Sequence, residues 1–229
     1  MNSTPEYQPE RRPITSRDRA LSKRIAHWLV LKKITPNSIS VAGMVAGVMA
    51  GGAFAMTVLP TWTSIGFVAA ALLMQLRLLA NMFDGMVAVE SGAASPVGEL
   101  FNEVPDRVSD AAMFAGAGYA LGGSPTLGLI AACLAIFVAY LRAQGSVAGA
   151  GQEFCGPLAK PQRVFVMTVA AIVCALTPME IQQRLNGFTI GGSTGGIMGW
   201  VLLFSILGMI VTSIRRLSRI ANHLRQESP

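Results

Sequence analysis

Charge is scarce in this chain: Asp, Glu, Lys and Arg make up 13% of 229 residues, while 52% are hydrophobic. An average soluble domain carries roughly 25% charged residues, so a water-soluble globular fold is excluded first. Cysteine is scarce too. Cys133 and Cys174 sit inside apolar segments and Cys155 in a loop, with no C-x-x-C pair and no Cys/His cluster, which excludes a zinc site or a redox pair. The two histidines, His27 and His223, lie in basic terminal segments. Aromatic residues are few, at 7%, and do not alternate with basic ones, so no nucleic-acid surface is expected despite a net charge of +6. The first residues carry Glu6, Glu10, Arg11 and Arg12 and no apolar core ending in a small-residue site, so no cleaved signal peptide is expected.

What the chain has instead is long apolar blocks, 24 glycines and a mean hydropathy of +0.51. A span of roughly 20 apolar residues crosses about 30 Å of hydrocarbon. Six blocks qualify as spans: about 39–59, 64–89, 98–121, 125–141, 163–176 and 195–214. Basic residues gather before the first block and after the last, at Arg215, Arg216, Arg219 and Arg225, while the opposite loops hold only Arg184. By the positive-inside rule both termini are cytoplasmic. Residues 16–33 place Leu21, Ile25, Trp28 and Leu29 on one helical face and Arg17, Arg19, Lys23 and Arg24 on others, the pattern of a helix lying in the membrane interface or of a basic lead-in to the first span. The expectation is an all-α membrane protein with six transmembrane helices and a cytoplasmic interfacial N-terminal helix. Its parts are a disordered tail at 1–14, a juxtamembrane amphipathic helix at 15–35, a six-helix domain at 36–216 and a basic tail at 217–229. Pro36 interrupts the first helix, with Asn37 or Ser38 available to cap the next. Gly43, Gly47 and Gly51 form a row that lets a second helix approach, either within the chain or in a homodimer.

Two spans carry polar groups where lipid would penalise them. Arg77, Asn81 and Asp84 fall within the second, and Asn102, Asp106 and Asp110 within the third. A charge at such depth costs about 2.5–3.5 kcal/mol on insertion scales and normally faces protein or a wet cavity. The spacing brings Arg77, Asn81 and Asp84 to one helical face, and Gly98, Asn102 and Asp106 recur every fourth residue. These polar stripes line a membrane-embedded cavity.

The stretch NMFDGMVAVESGAASPVGELFNEVPD, residues 81–106, resembles the signature of the CDP-alcohol phosphotransferase family, D-x2-D-G-x2-A-R-x8-G-x3-D-x3-D. Without a gap, the signature falls on Asn81, Asp84, Gly85, Ala88, Val89, Gly98, Asn102 and Asp106; the first and third aspartates are asparagine here and the arginine is valine. The Thr-Pro-Asn at 35–37 and the segment YLRAQGSVAG from Tyr140 are similar to the family as well.

The resemblance implies a six-helix enzyme of the bacterial-type inner membrane with a cytoplasmic active site. It implies transfer of a phospho-alcohol, and specifically phosphatidyl, group from a CDP-linked lipid such as CDP-diacylglycerol to a small alcohol or sugar-phosphate hydroxyl, releasing CMP in phospholipid synthesis. A divalent cation, Mg2+ or Mn2+, suits hard oxygen ligands. Asn81, Asp84, Asn102 and Asp106 would hold it, with Glu103 a further candidate, alongside Glu99 and Asp110 on the same helix. Asp84 and Asp106 are the catalytic pair, Asp106 taking the acceptor proton. Gly85, Ala88 and Gly98 would line the nucleotide. Arg142, Lys160 and Arg163 form a basic rim for phosphate, or anchor the cytoplasmic side. Arg77 pairs with Asp84, compensates a bound phosphate or makes a structural salt bridge. Two other readings stay open: a non-catalytic relative that binds a CDP-lipid or regulates a partner, and a small transporter using Arg77 and Asp84 as a membrane charge pair.

Overall fold

The computed structural model describes residues 19–93 and 95–227. The tail at 1–14 and Arg17 lie outside the described residues, as does the side chain of Glu99. Eight helices follow one another: α1 (Ala20–Leu31), α2 (Pro36–Met56), α3 (Thr63–Glu90), α4 (Pro96–Gly118), α5 (Pro125–Val147), α6 (Lys160–Leu176), α7 (Met179–Arg184) and α8 (Ile197–Glu227). Between α7 and α8 the chain forms a hairpin of two short antiparallel strands, β1 (Phe188–Ile190) and β2 (Ser193–Gly195). The fold is therefore mostly helical rather than purely so. Gly191 and Gly192, at φ of +61° and +76°, close the hairpin in a two-residue turn that demands left-handed backbone.

Four helices, α2, α3, α5 and α8, are long and apolar enough to cross a membrane. Their outward faces carry exposed Val45, Leu72, Leu76, Ile130, Phe137, Phe204 and Leu207, while the buried interior at one end holds ion pairs. Apolar outside and polar within is the pattern of a chain that dissolves in lipid, and the chain is an integral membrane protein. α6 is shorter, at 17 residues, and α4 carries the charged stripe.

The helix ends explain several boundaries. Pro36 is the first residue of α2, and the cap is Thr35, whose side chain accepts from Ser38 N at 3.3 Å. Proline at the first helical position sacrifices an N–H that had no partner, so the capping role falls on Thr35 rather than on Asn37 or Ser38. Pro105 lies inside α4 without ending it. α8 continues past the apolar block at Ile214 to Glu227; no proline or glycine interrupts it there. Buried Arg216 fastens this extension, donating to Val138 O at 2.6 Å and to Cys155 O at 3.1 Å.

α2 packs against both α3 and α4 through the glycine row. A Cβ at Gly43 would stand 2.9 Å from Ala80 Cβ, and one at Gly47 would stand 2.6 Å from Ser109 Cβ. Gly51 approaches the backbone of Ala112 and faces Gly116. The row is consumed inside one chain, so it no longer supports a homodimer. Its consequence is local: α2 lies close against both α3 and α4, and the long polar side chains of those two helices meet beside it. Phe54 and Phe67 close the opposite, apolar end edge to face, with ring centroids 6.2 Å apart.

Candidate active site

Five helices contribute to one polar cluster, α5 through Arg142. α3 supplies Arg77, Asn81 and Asp84; α4 supplies Asn102, Glu103, Asp106, Arg107 and Asp110; the start of α6 supplies Lys160 and Arg163; α2 supplies Ser40. Ser95 caps α4 by accepting from Gly98 N at 3.1 Å, which fixes where the α4 stripe begins.

Asp110 is the most enclosed of these. Its side chain is 1% exposed and lies between two guanidiniums, Arg77 Nη2 donating at 2.8 Å and Arg163 Nη2 at 2.7 Å. Arg77 also donates to Asp106, to the carbonyl and to Oδ1, at 3.3 Å each. Arg77 thus reaches across to α4 and not along its own helix to Asp84, which is two turns away.

Asp84 has a different setting. One oxygen accepts from Ser40 Oγ at 2.8 Å; the other, Oδ1, is buried with no hydrogen-bond partner among the described residues. A buried carboxylate oxygen left unpaired is costly unless something fills the vacancy in its bonding.

Asn81 sits between these extremes. Its amide nitrogen donates to Asn102 Oδ1 at 3.0 Å and to both Asp106 oxygens at 3.3 Å. Its oxygen accepts from Lys160 Nζ at 2.8 Å, and the same ammonium contacts Asp106 Oδ2. Asn102 is therefore turned to Asn81, and both expected amide ligands already have partners. Glu103 is engaged as well, by Arg142 and, at 3.3 Å, by Arg107. Arg142 lies over the Phe154 ring, 5.6 Å from its centre.

The basic residues expected as a rim thus divide. Arg142 pairs with Glu103, Lys160 with Asp106, and Arg163 is 2% exposed against Asp110. Gly85 and Ala88 are half-buried on α3. Two participants escaped the sequence reading. Ser40 continues the Gly43 and Gly47 face of α2 by one turn, a signal that was present. Arg107 follows Asp106 directly and pairs with it at 3.8 Å. Cys155, outside the spans, has its thiol pushed up by burial, which fits packing and not nucleophilic chemistry.

No family model matches the chain. Individual relatives do. The chain is 30% identical over 171 residues to the phosphatidylinositol phosphate synthase of Corynebacterium glutamicum, covering 71% of this chain and 72% of that protein. The chain belongs to the CDP-alcohol phosphotransferase family. Another member, the archaetidylinositol phosphate synthase of Aeropyrum pernix, is 26% identical over 196 residues, 86% of this chain and 93% of that one. The fold is shared with the phosphatidylinositol phosphate synthase of Mycobacterium tuberculosis solved with CDP-DAG bound, at a TM-score of 0.67 and 20% identity over 86% of this chain and 92% of that one. The same enzyme in complex with manganese and citrate gives 0.68 over 87% and 88%.

Do this member's residues fit a divalent cation? Among the described residues, no three His, Cys, Asp or Glu side chains form a group that could hold a metal ion. On the Asp84 side they fit: an unpaired, buried carboxylate oxygen is a hard ligand awaiting a cation. On the Asn81 side the amide oxygens are occupied, and the nearest cation is Lys160. The family member therefore offers a one-sided site.

Proposed function

We propose that the chain is a phosphotransferase that moves a phosphatidyl group from a CDP-linked lipid, CDP-diacylglycerol, to the hydroxyl of a small alcohol, with release of CMP. The names of the relatives favour a phosphorylated polyol as that alcohol. The observation that carries the reading is Asp84, whose Oδ1 is buried without a partner among the described residues and which stands at the signature's spacing from Asp106. Asp84 would hold a divalent ion together with the donor's phosphate oxygens, and such an ion would neutralise charge on the pyrophosphate. The acceptor oxygen forms a bond to the lipid-side phosphorus in line with the leaving group, the pyrophosphate P–O bond breaks, and CMP departs with the electron pair. The acceptor proton passes to Asp106, whose charge Arg77 and Lys160 balance beforehand. Gly85, Ala88 and Gly98 leave room for the nucleotide, and Arg142 and Lys160 are the cations a phosphorylated acceptor would meet.

In this reading α4 and α6 cross the membrane along with the four more apolar helices. Support comes from their charges, which turn inward to one another and not outward. Both termini and the polar end face the cytoplasm, and α1 lies in the interface. α1 turns its small residues Ser22 and Ala26 inward and leaves Leu21, Trp28 and Leu31 exposed. A cysteine at position 60 should label only from the side opposite the termini.

The test is CMP release by purified protein in lipid nanodiscs, given CDP-diacylglycerol, Mn2+ or Mg2+, and a panel of alcohols and sugar phosphates. Acceptor-dependent CMP supports the enzyme. CDP-lipid binding with no CMP from any acceptor would leave the non-catalytic relative, and neither binding nor turnover would leave the transporter.

A further inference from the structure

The same site suggests how the chain manages with two carboxylates fewer than its motif calls for. At the Asn81 side, three oxygen-bearing groups converge: Asn81, Asn102 and Asp106. Lys160 Nζ stands among them, touching Asn81 Oδ1 and Asp106 Oδ2, with only 20% of its side chain exposed. An ammonium brings one positive charge and three donors, and two of those donors are committed here to the very oxygens a metal would need. Among the described side chains the positive charges already outnumber the negative ones. Asp84, Glu103, Asp106 and Asp110 give four negative charges, while Arg77, Arg107, Arg142, Lys160 and Arg163 give five positive ones. A free divalent ion would enter a cluster that is net positive without it.

We infer that Lys160 is a tethered cation that takes the place of a divalent ion at the Asn81–Asp106 side of the site, so that metal binding by the ligand-free protein is blocked there and confined to the Asp84 side. The inference deepens the function proposed above and rests on it for the role of Asp84; the experiment, though, reads metal binding without donor and without turnover, so each can fail alone. The asparagines fit this arrangement. Aspartate at 81 and 102 would add two charges that one ammonium could not balance, whereas an amide accepts from Lys160 through oxygen and donates to Asn102 and Asp106 through nitrogen. The ammonium and the two amides form one hydrogen-bonded unit.

The experiment is titration of the full chain in nanodiscs with Mn2+ alone, following the free-ion signal by electron paramagnetic resonance. Wild type should bind Mn2+ weakly. Lys160→Met, which keeps length and removes charge, should tighten binding about ten-fold or more, the direction set by removing a unit charge from contact with the ion's ligands. Lys160→Arg, which keeps the charge, should bind as weakly as wild type. A variant that merely loosens the fold would not gain affinity, and Lys160→Gln serves if the methionine variant does not fold. Tight Mn2+ binding by wild type without donor would overturn the inference, and so would neutral variants that bind no better than wild type.

Discussion

Asp84 and Asp110 are both buried carboxylates within the same cluster, and they have opposite surroundings. Asp110 is clamped by two guanidiniums from α3 and α6, with both oxygens paired at 2.7 and 2.8 Å. Asp84 has one serine hydroxyl on one oxygen, and its Oδ1 has no hydrogen-bond partner among the described residues. A carboxylate whose charge is neutralised by a guanidinium on each oxygen has little pull on a further cation, so its contribution is to tie helices together. A buried carboxylate with an unpaired oxygen costs stability. Burial alone does not distinguish these two aspartates; the cations that face each of them do.

Removing Asp110 should have the largest effect. Asp110→Ala leaves Arg77 and Arg163 facing each other without their shared anion, and breaking a buried pair in this way costs about 3–5 kcal/mol. Thermal unfolding in detergent should show a large fall in Tm, or no folded protein. Breaking the clamp from one side is milder: Arg163→Met leaves Asp110 Oδ2 unfilled but Arg77 in place, for about 1–3 kcal/mol, with donor binding retained in protein that folds. Ser40→Ala sharpens the other half of the comparison. It removes the one side-chain partner of Asp84 and should cost only about 1 kcal/mol, yet shift donor KM several-fold because the carboxylate is no longer held in place.

The motif spacing made the α3 and α4 stripes legible, since helical periodicity alone fixes which residues of one helix share a face. It also made Asp84 and Asp106 legible as a pair. Partners contributed by other helices were not. Lys160 meets Asp106 across 54 positions of sequence, and in the sequence it is indistinguishable from Arg142 as one of several cations at a helix end. Spacing puts Arg77 on the Asp84 face of α3, but its partners Asp106 and Asp110 belong to another helix, and helical periodicity says nothing of which helix lies within its reach. The glycine row was readable; that it would be used inside one chain followed only from its fit to Ala80, Ser109 and Ala112. The Gly-Gly turn at 191–192 was a readable hairpin signal, masked by strands only three residues long.

The most direct measurement compares CMP release from CDP-diacylglycerol by wild type and by Asp84→Asn, after both have been shown to melt at the same temperature or the variant higher. Asp84→Asn removes a buried charge that has no cation of its own, so the fold should be kept while CMP release falls to background. An Asp84→Asn protein that still releases CMP at the wild-type rate would contradict the account, because the unfilled carboxylate would then be a flaw in the packing and not the seat of the chemistry.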